Sequence, residues 1–274
     1  MRPRPWPRRT AAALLAAALL LLAGCAPSVD PIERLGRKAA QRVRPASPAA
    51  DRPYLRWGLA APLPVPPRPP ARTTAARTRT GPPVLDHVDT PDRVVFLTYD
   101  DGAERDPRFV DMVRELRLPI AVFLTGSAAG PGSGHFARLR AAGADLQNHT
   151  LDHPALRGVP YAGQRAEICG QRDRLRARFG ARSRLLRPPY GSYDTTTLRA
   201  AADCGVRAVV LWRASMKDTG LRFAHGPHRL GPGDIVLVTS DDDDPAASLH
   251  ERTTRILRTL QTQGLTAGRL SDYL

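Results

Sequence analysis

The stretch that decides the fold is Arg93-Val-Val-Phe-Leu-Thr-Tyr99, which runs straight into Asp100-Asp101-Gly102. A β-branched and aromatic run that ends in an Asp-Gly turn reads as a buried strand delivering carboxylates at its C-terminal end. Further short apolar runs lie at Ala121–Leu124, Leu185–Leu186, Val206–Trp212 and Ile235–Thr239. Helical spacing falls between them, near Arg108–Leu116, His135–Ala142, Tyr161–Phe179, Asp194–Ala202 and Ala246–Gln261. Strand then helix, repeated, predicts an α/β fold with a parallel sheet and crossover helices. An irregular (β/α) barrel fits best, because several strands are weak. The sequence contains neither an internal repeat nor a glycine-rich phosphate loop.

Upstream of this domain, expected over 92–274, the chain changes character twice. Residues 1–25 read as an export signal. Arg2, Arg4, Arg8 and Arg9 precede an apolar run of Ala and Leu that ends in Leu22-Ala23-Gly24-Cys25. That run is too short for an ordinary membrane span. Its last four residues resemble the lipobox of bacterial lipoproteins. This implies lipidation at Cys25 and a lipid-anchored protein on the extracytoplasmic face of the cell membrane. Residues 26–91 hold 14 of the 27 prolines, centred on Pro62–Pro70. Proline fixes φ and removes an amide donor, so a disordered, extended linker is expected. Trp57 and Tyr54 stand out within it without an evident docking place. With Cys25 set apart, Cys169 and Cys204 are left either to form a disulfide or to sit as two buried thiols.

The formal charge of +15 invites a nucleic-acid reading, but only +5 of it lies in 92–274. Lysine occurs only at Lys38 and Lys217, the rest being Arg. That excess goes with Ala, Pro and Gly enrichment, as in GC-rich coding. No nucleic-acid motif or interleaved aromatic set accompanies it, so nucleic acid is not an expected partner. The linker's net +6 instead suits anionic lipid or wall polymer. A monomer is expected.

Three strings carry chemistry. In a β/α barrel, reactive groups sit where strands end. Adjacent carboxylates such as Asp100 and Asp101 repel, and a cation relieves the repulsion. Alone, the pair reads more readily as a polar turn with an Asp cap. The second string is Asn148-His-Thr-Leu-Asp-His153. Imidazoles four residues apart share one face of a helical turn. With a carboxylate from another loop they make a His-His-Asp metal set with open positions. The third, Leu186-Arg-Pro-Pro-Tyr-Gly191, is a stiff loop that aims Arg187 inward and presents a backbone amide.

In this order the three strings resemble the polysaccharide deacetylases of carbohydrate esterase family 4, the NodB-homology domain, over about residues 92–274. The resemblance implies a metal-dependent hydrolase that removes acetyl groups from an N- or O-acetylated polysaccharide such as peptidoglycan. Asp100 is then the general base. Asp101, His149 and His153 hold Zn²⁺ or another divalent transition metal. Arg187 orients the base with Asp218 as its partner, and the Tyr190 amide donates to the oxyanion. Trp212 and Leu237 wall the acetyl pocket.

The sequence also departs from that pattern. Ser215 stands where a further aspartate is expected, Thr219 where a tryptophan is, and Thr239 replaces the histidine that serves as general acid. Threonine donates a proton poorly near neutral pH, and general acid–base participation is worth roughly 10²- to 10⁴-fold. His225, His228 and the run Asp241–Asp244 are the candidate substitutes. A second reading is an ester substrate, whose leaving oxygen needs less help, and a third is a catalytically impaired glycan-binding lipoprotein.

Overall fold

Strand β2 (Val94–Tyr99) is buried along its whole length, and alternate side chains face two different cores. Val94 and Phe96 join Phe123, Leu185, Val210 and Ile235 in the barrel interior, where Leu270, Tyr273 and Leu274 close the floor. Val95, Leu97 and Tyr99 look outward into the layer of helices. A strand covered on both faces needs a continuous apolar run, which is what the decisive stretch supplies. The computed structural model describes residues 52–70, 81–103, 106–130, 133–217, 219–239 and 248–274. The signal segment with Cys25, Asp218 and Asp241–Asp244 lie outside them.

Nine further strands complete the sheet: β1 (Val84–Leu85), β3 (Ala121–Leu124), β4 (Asp145–Asn148), β5 (Leu185–Leu186), β6 (Ala208–Val210), β7 (Ala214–Lys217), β8 (Gly220–Phe223), β9 (Ile235–Val238) and β10 (Thr266–Ala267). Their order is β1-β6-β5-β4-β3-β2-β9-β7-β8, with β10 on the side of β2. Every pairing is parallel except the β7–β8 hairpin. The ring closes through an antiparallel bridge between His87, just past β1, and Asp234, just before β9. Buried Asp234 is satisfied there by His87 Nδ1 at 3.2 Å, Arg213 Nη1 at 3.0 Å and the Gly231 amide at 2.8 Å. Gly233 has φ of 84°, and a Cβ there would strike the Val88 carbonyl. This is the irregular barrel the sequence predicts.

The helices are α1 (Pro53–Arg56), α2 (Pro107–Leu116), α3 (Gly126–Ala129), α4 (Ser133–Ala141), α5 (Tyr161–Phe179), α6 (Thr195–Asp203) and α7 (Leu249–Thr262). Their starts follow from local chemistry. Asp106 accepts from Arg108 N ahead of Pro107, and both Asp194–Thr197 and Ser248–Glu251 form capping boxes. Cys169 on α5 and Cys204 at the end of α6 are joined by a disulfide, which decides between the two alternatives left open by the sequence.

Two expectations need correction. The polar stretch Asp145–Asn148 is a strand, and Ala214–Phe223 folds into the β7–β8 hairpin beyond a run that is strand only over Ala208–Val210. The expected linker 26–91 is not solvated throughout: its parts at 52–61 and 81–91 belong to the folded unit. Trp57 is only 3 % exposed. Its Nε1 donates to Glu115 at 2.8 Å, and the Arg108 guanidinium lies over its ring at 5.4 Å. Side chains of α7 donate to the free carbonyls of this segment, Arg258 to Gly58 at 2.8 Å and Gln261 to Ala61 at 2.7 Å. An extended proline-rich chain leaves its carbonyls open, and those acceptors plus one large aromatic are enough to dock it. Pro62–Pro70 itself has no regular structure and is mostly exposed, as its composition predicts.

Candidate active site

The C-terminal ends of β2, β4, β5 and β6 meet at one mouth, and Arg187 is its organising residue. It follows β5 and is completely buried. Nη1 donates to Asp100 Oδ1 at 2.7 Å and Nη2 to Thr98 Oγ1 at 2.8 Å. Nε reaches the Val210 carbonyl at 3.3 Å. The guanidinium stacks over Phe123 at 4.3 Å and faces Trp212 at 5.4 Å. Burial depresses the Arg187 pKa, and the Asp100 carboxylate opposes that shift. A buried guanidinium of this kind is tolerated because its forked donors are filled.

The backbone of Arg187 serves the neighbouring group. Its carbonyl accepts a hydrogen bond from His149 Nδ1 at 2.8 Å. That fixes the proton on Nδ1 and leaves His149 Nε2 as a bare lone pair pointing into the mouth. His153 Nε2 stands 3.2 Å from it. The second oxygen of Asp100 lies 3.8 Å from His149 Nε2. Burial pushes both imidazole pKa values down, against the pull of Asp100, so both rings favour the neutral, ligating form.

The His string is not helical. His149 directly follows β4, and the chain then turns through two left-handed residues, Thr150 (φ 73°) and His153 (φ 60°). Asn148 Oδ1 accepts from Thr150 N at 2.9 Å, and Glu167 on α5 accepts from Leu151 N at 2.9 Å and Asp152 N at 3.0 Å. The third string adds Tyr190, also left-handed (φ 59°), whose hydroxyl lies 3.2 Å from His153 Nδ1. Three of the four described non-glycine residues with positive φ therefore sit at this mouth. Such backbone costs about 1–3 kcal/mol per residue and concentrates where function demands it.

The site residues expected from sequence are distributed as follows. Asp100, Arg187, His149 and His153 are brought into direct contact. Asp101 is beside them, its Oδ1 accepting from Thr125 N at 3.0 Å. Burial raises its pKa, the Thr125 bonds lower it, and the nearby His149 also lowers it. Trp212 follows β6 and flanks Arg187. Leu237 on β9 pairs with Thr98. Tyr190 is present and brings its side chain to His153, which the motif did not disclose. Thr239 hydrogen-bonds back to Met216 O at 3.3 Å. His225 is paired with Asp86, and His228 stacks on Phe223. Sequence reading missed Thr98, Asn148 and Glu167. The first two lie inside strings already singled out, whereas Glu167 carries no local signal.

The donor set can be tested against a metal. Among the described residues no group of three His, Cys, Asp or Glu side chains stands ready to hold an ion. The imidazole pair itself fits one. Two nitrogens bound tetrahedrally to zinc stand about 3.3 Å apart, and these stand 3.2 Å apart with both Nδ1 atoms engaged by partners.

Fold and site together define a class: an irregular β/α barrel with carboxylates and imidazoles gathered at the strand ends. The polysaccharide deacetylase family model matches residues 87–209. An uncharacterized protein of Streptomyces coelicolor is 63% identical over 202 residues, 73% of this chain and 80% of its own length. The peptidoglycan-N-acetylglucosamine deacetylase of Bacillus cereus is 26% identical over 178 residues. That alignment takes in 62% of this chain and spans 64% of the Bacillus protein, under two thirds of it. A family 4 carbohydrate esterase from Streptomyces lividans, solved with acetate, superposes with a TM-score of 0.54 at 26% identity, covering 65% of this chain and 93% of that one. The chain belongs to the polysaccharide deacetylase family, carbohydrate esterase family 4.

Proposed function

We propose that the protein hydrolyses acetyl groups from an acetylated polysaccharide, with a divalent cation held by Asp101, His149 and His153. One observation carries the reading: Arg187 grips Asp100 through its side chain and His149 through its carbonyl, setting a free carboxylate oxygen beside a bare imidazole lone pair. When bound, a cation such as Zn²⁺ lowers the pKa of water and polarises a carbonyl. Asp100 takes the proton of the attacking water. Arg187 holds that carboxylate in place and aims it. The Tyr190 amide donates to the developing oxyanion, and Trp212 and Leu237 enclose the acetyl methyl. The C–N or C–O bond then breaks, acetate leaves, and the departing amine or alcohol takes up a proton.

That last proton is where this chain differs, since Thr239 has its hydroxyl turned to Met216. An ester leaving group needs less help than an amine, so O-acetyl substrates suit this site better. Thr239 also favours a second reading, a weakly active glycan binder. The test is acetate release by the zinc-loaded full chain from N-acetylated oligosaccharides and O-acetylated xylan, against Asp100→Asn. Acetate from the wild type alone supports hydrolysis. Glycan and zinc bound with no acetate from any substrate supports the binder.

Location follows the export signal: we propose anchoring through Cys25 on the extracytoplasmic face, with peptidoglycan as the nearest acetylated polymer. Radiolabelled palmitate incorporation that is lost in Cys25→Ala would support it.

A further inference from the structure

At the end of the barrel opposite Asp100, where β5 and β6 begin, α5, α6 and the segment 181–184 enclose a cleft of about 510 Å³. Clefts that hold small ligands span about 300–1,000 Å³. Its lining carries Arg172, Arg176, Arg182 and Arg184, with Asp173 as the acid among them. Arg172 is already employed: it binds Asp173 at 2.8 Å and 3.1 Å and caps the end of α6 through the Cys204 carbonyl at 3.1 Å. Arg176 is drawn toward Asp173 only electrostatically. The guanidinium groups of Arg182 and Arg184 hydrogen-bond to nothing among the described residues, so they are not serving the helix ends.

A second, independent observation lies in the same wall. Ser183 lines the cleft, is 6 % exposed, and its hydroxyl has no hydrogen-bond partner. Leaving a buried hydroxyl unpaired is unfavourable, and such groups point to an unseen partner. The walls are also fixed. Gln147 Oε1 accepts from both Arg184 N and Leu185 N at 2.9 Å, and the Cys169–Cys204 disulfide ties α5 to α6.

We propose that this cleft binds a phosphate-bearing anion. Arg182 and Arg184 present forked donors that match phosphate oxygens, Arg176 adds a third charge, and Ser183 donates from the floor. A bound phosphate would hold the molecule by the end remote from its catalytic mouth. Phosphate can come from a lipid headgroup or from a soluble ester, and the experiment separates the two.

The full chain is unfolded thermally in sodium phosphate and in sodium chloride of equal ionic strength. A tenfold excess over Kd should raise the midpoint by about 3–6 °C in phosphate alone. Arg182→Ala with Arg184→Ala should abolish that rise. Ser183→Ala should leave the midpoint in chloride unchanged or higher, yet weaken phosphate binding about 10- to 100-fold. An equal shift in chloride, or a phosphate shift that survives the double substitution, overturns the proposal. Co-sedimentation with phosphatidylglycerol vesicles then reads the source. More wild type than double variant in the pellet assigns a headgroup; equal amounts with the phosphate response intact assign a soluble phosphate ester.

Discussion

Thr239 tests the chemistry at the level of a single side chain. Its hydroxyl bonds to Met216 O, and of the substitutes offered by the sequence His225 is paired with Asp86 and His228 stacks on Phe223. If the missing proton limits turnover, Thr239→His should raise kcat on an N-acetyl substrate by about 10²-fold or more, and on an O-acetyl substrate by less. Equal rates before and after would mean that another group already protonates the leaving atom. Arg187→Lys keeps the charge but loses the fork that spans Asp100 and Thr98. Steady-state kinetics should show kcat down about 10- to 100-fold with KM little changed. The residues that read clearly from sequence were those whose chemistry is local, such as Asp100, His149, His153 and Arg187. Thr98 and Glu167 were silent, because a threonine in a strand and a glutamate on a helix gain meaning only from what the fold sets beside them.

The His loop is built by elements that flank it rather than by its own propensity. Glu167 on α5 holds two of its amides, Asn148 a third, and the turn itself is strained. Glu167→Ala should lower zinc affinity about 10- to 100-fold, as outer partners of a ligand do, with the barrel otherwise intact; zinc titration calorimetry and circular dichroism check the two halves. Strand β4 shows why such elements escape a sequence reading. Its Gln147 and Asn148 are buried because Gln147 accepts the amides of Arg184 and Leu185 at the start of the next strand and Asn148 Nδ2 donates to Ile168 O at 2.8 Å. Those partners are 20 or more residues away, so local apolar patterning could not predict them. The disulfide was readable only as a choice, since spacing does not report distance. It closes a separation of 35 residues, and replacing both cysteines by serine should cost about 4 kcal/mol in chemical denaturation.

For the molecule as a whole, the boundary matters most. The barrel core was legible from its alternation, but the proline-rich stretch hid a docked segment. Composition describes a stretch on average, whereas docking depends on one tryptophan and a few carbonyls. A chain begun at residue 92 lacks Trp57, β1 and the His87 bridge, and should unfold well below one begun at residue 52. Trp57→Ala in the full chain should cost about 3–5 kcal/mol, read as a loss of denaturation midpoint.

The way Trp57 is seated has a mechanical consequence. Any pull exerted through the upstream chain reaches the domain first at the indole wedged beside Glu115, and from there passes into α2 and α7. Those helices are themselves tied to the strand that delivers Asp100, since Thr253 on α7 meets the Tyr99 hydroxyl at 3.1 Å. A load taken up at the indole is therefore shared between the outer helices and β2.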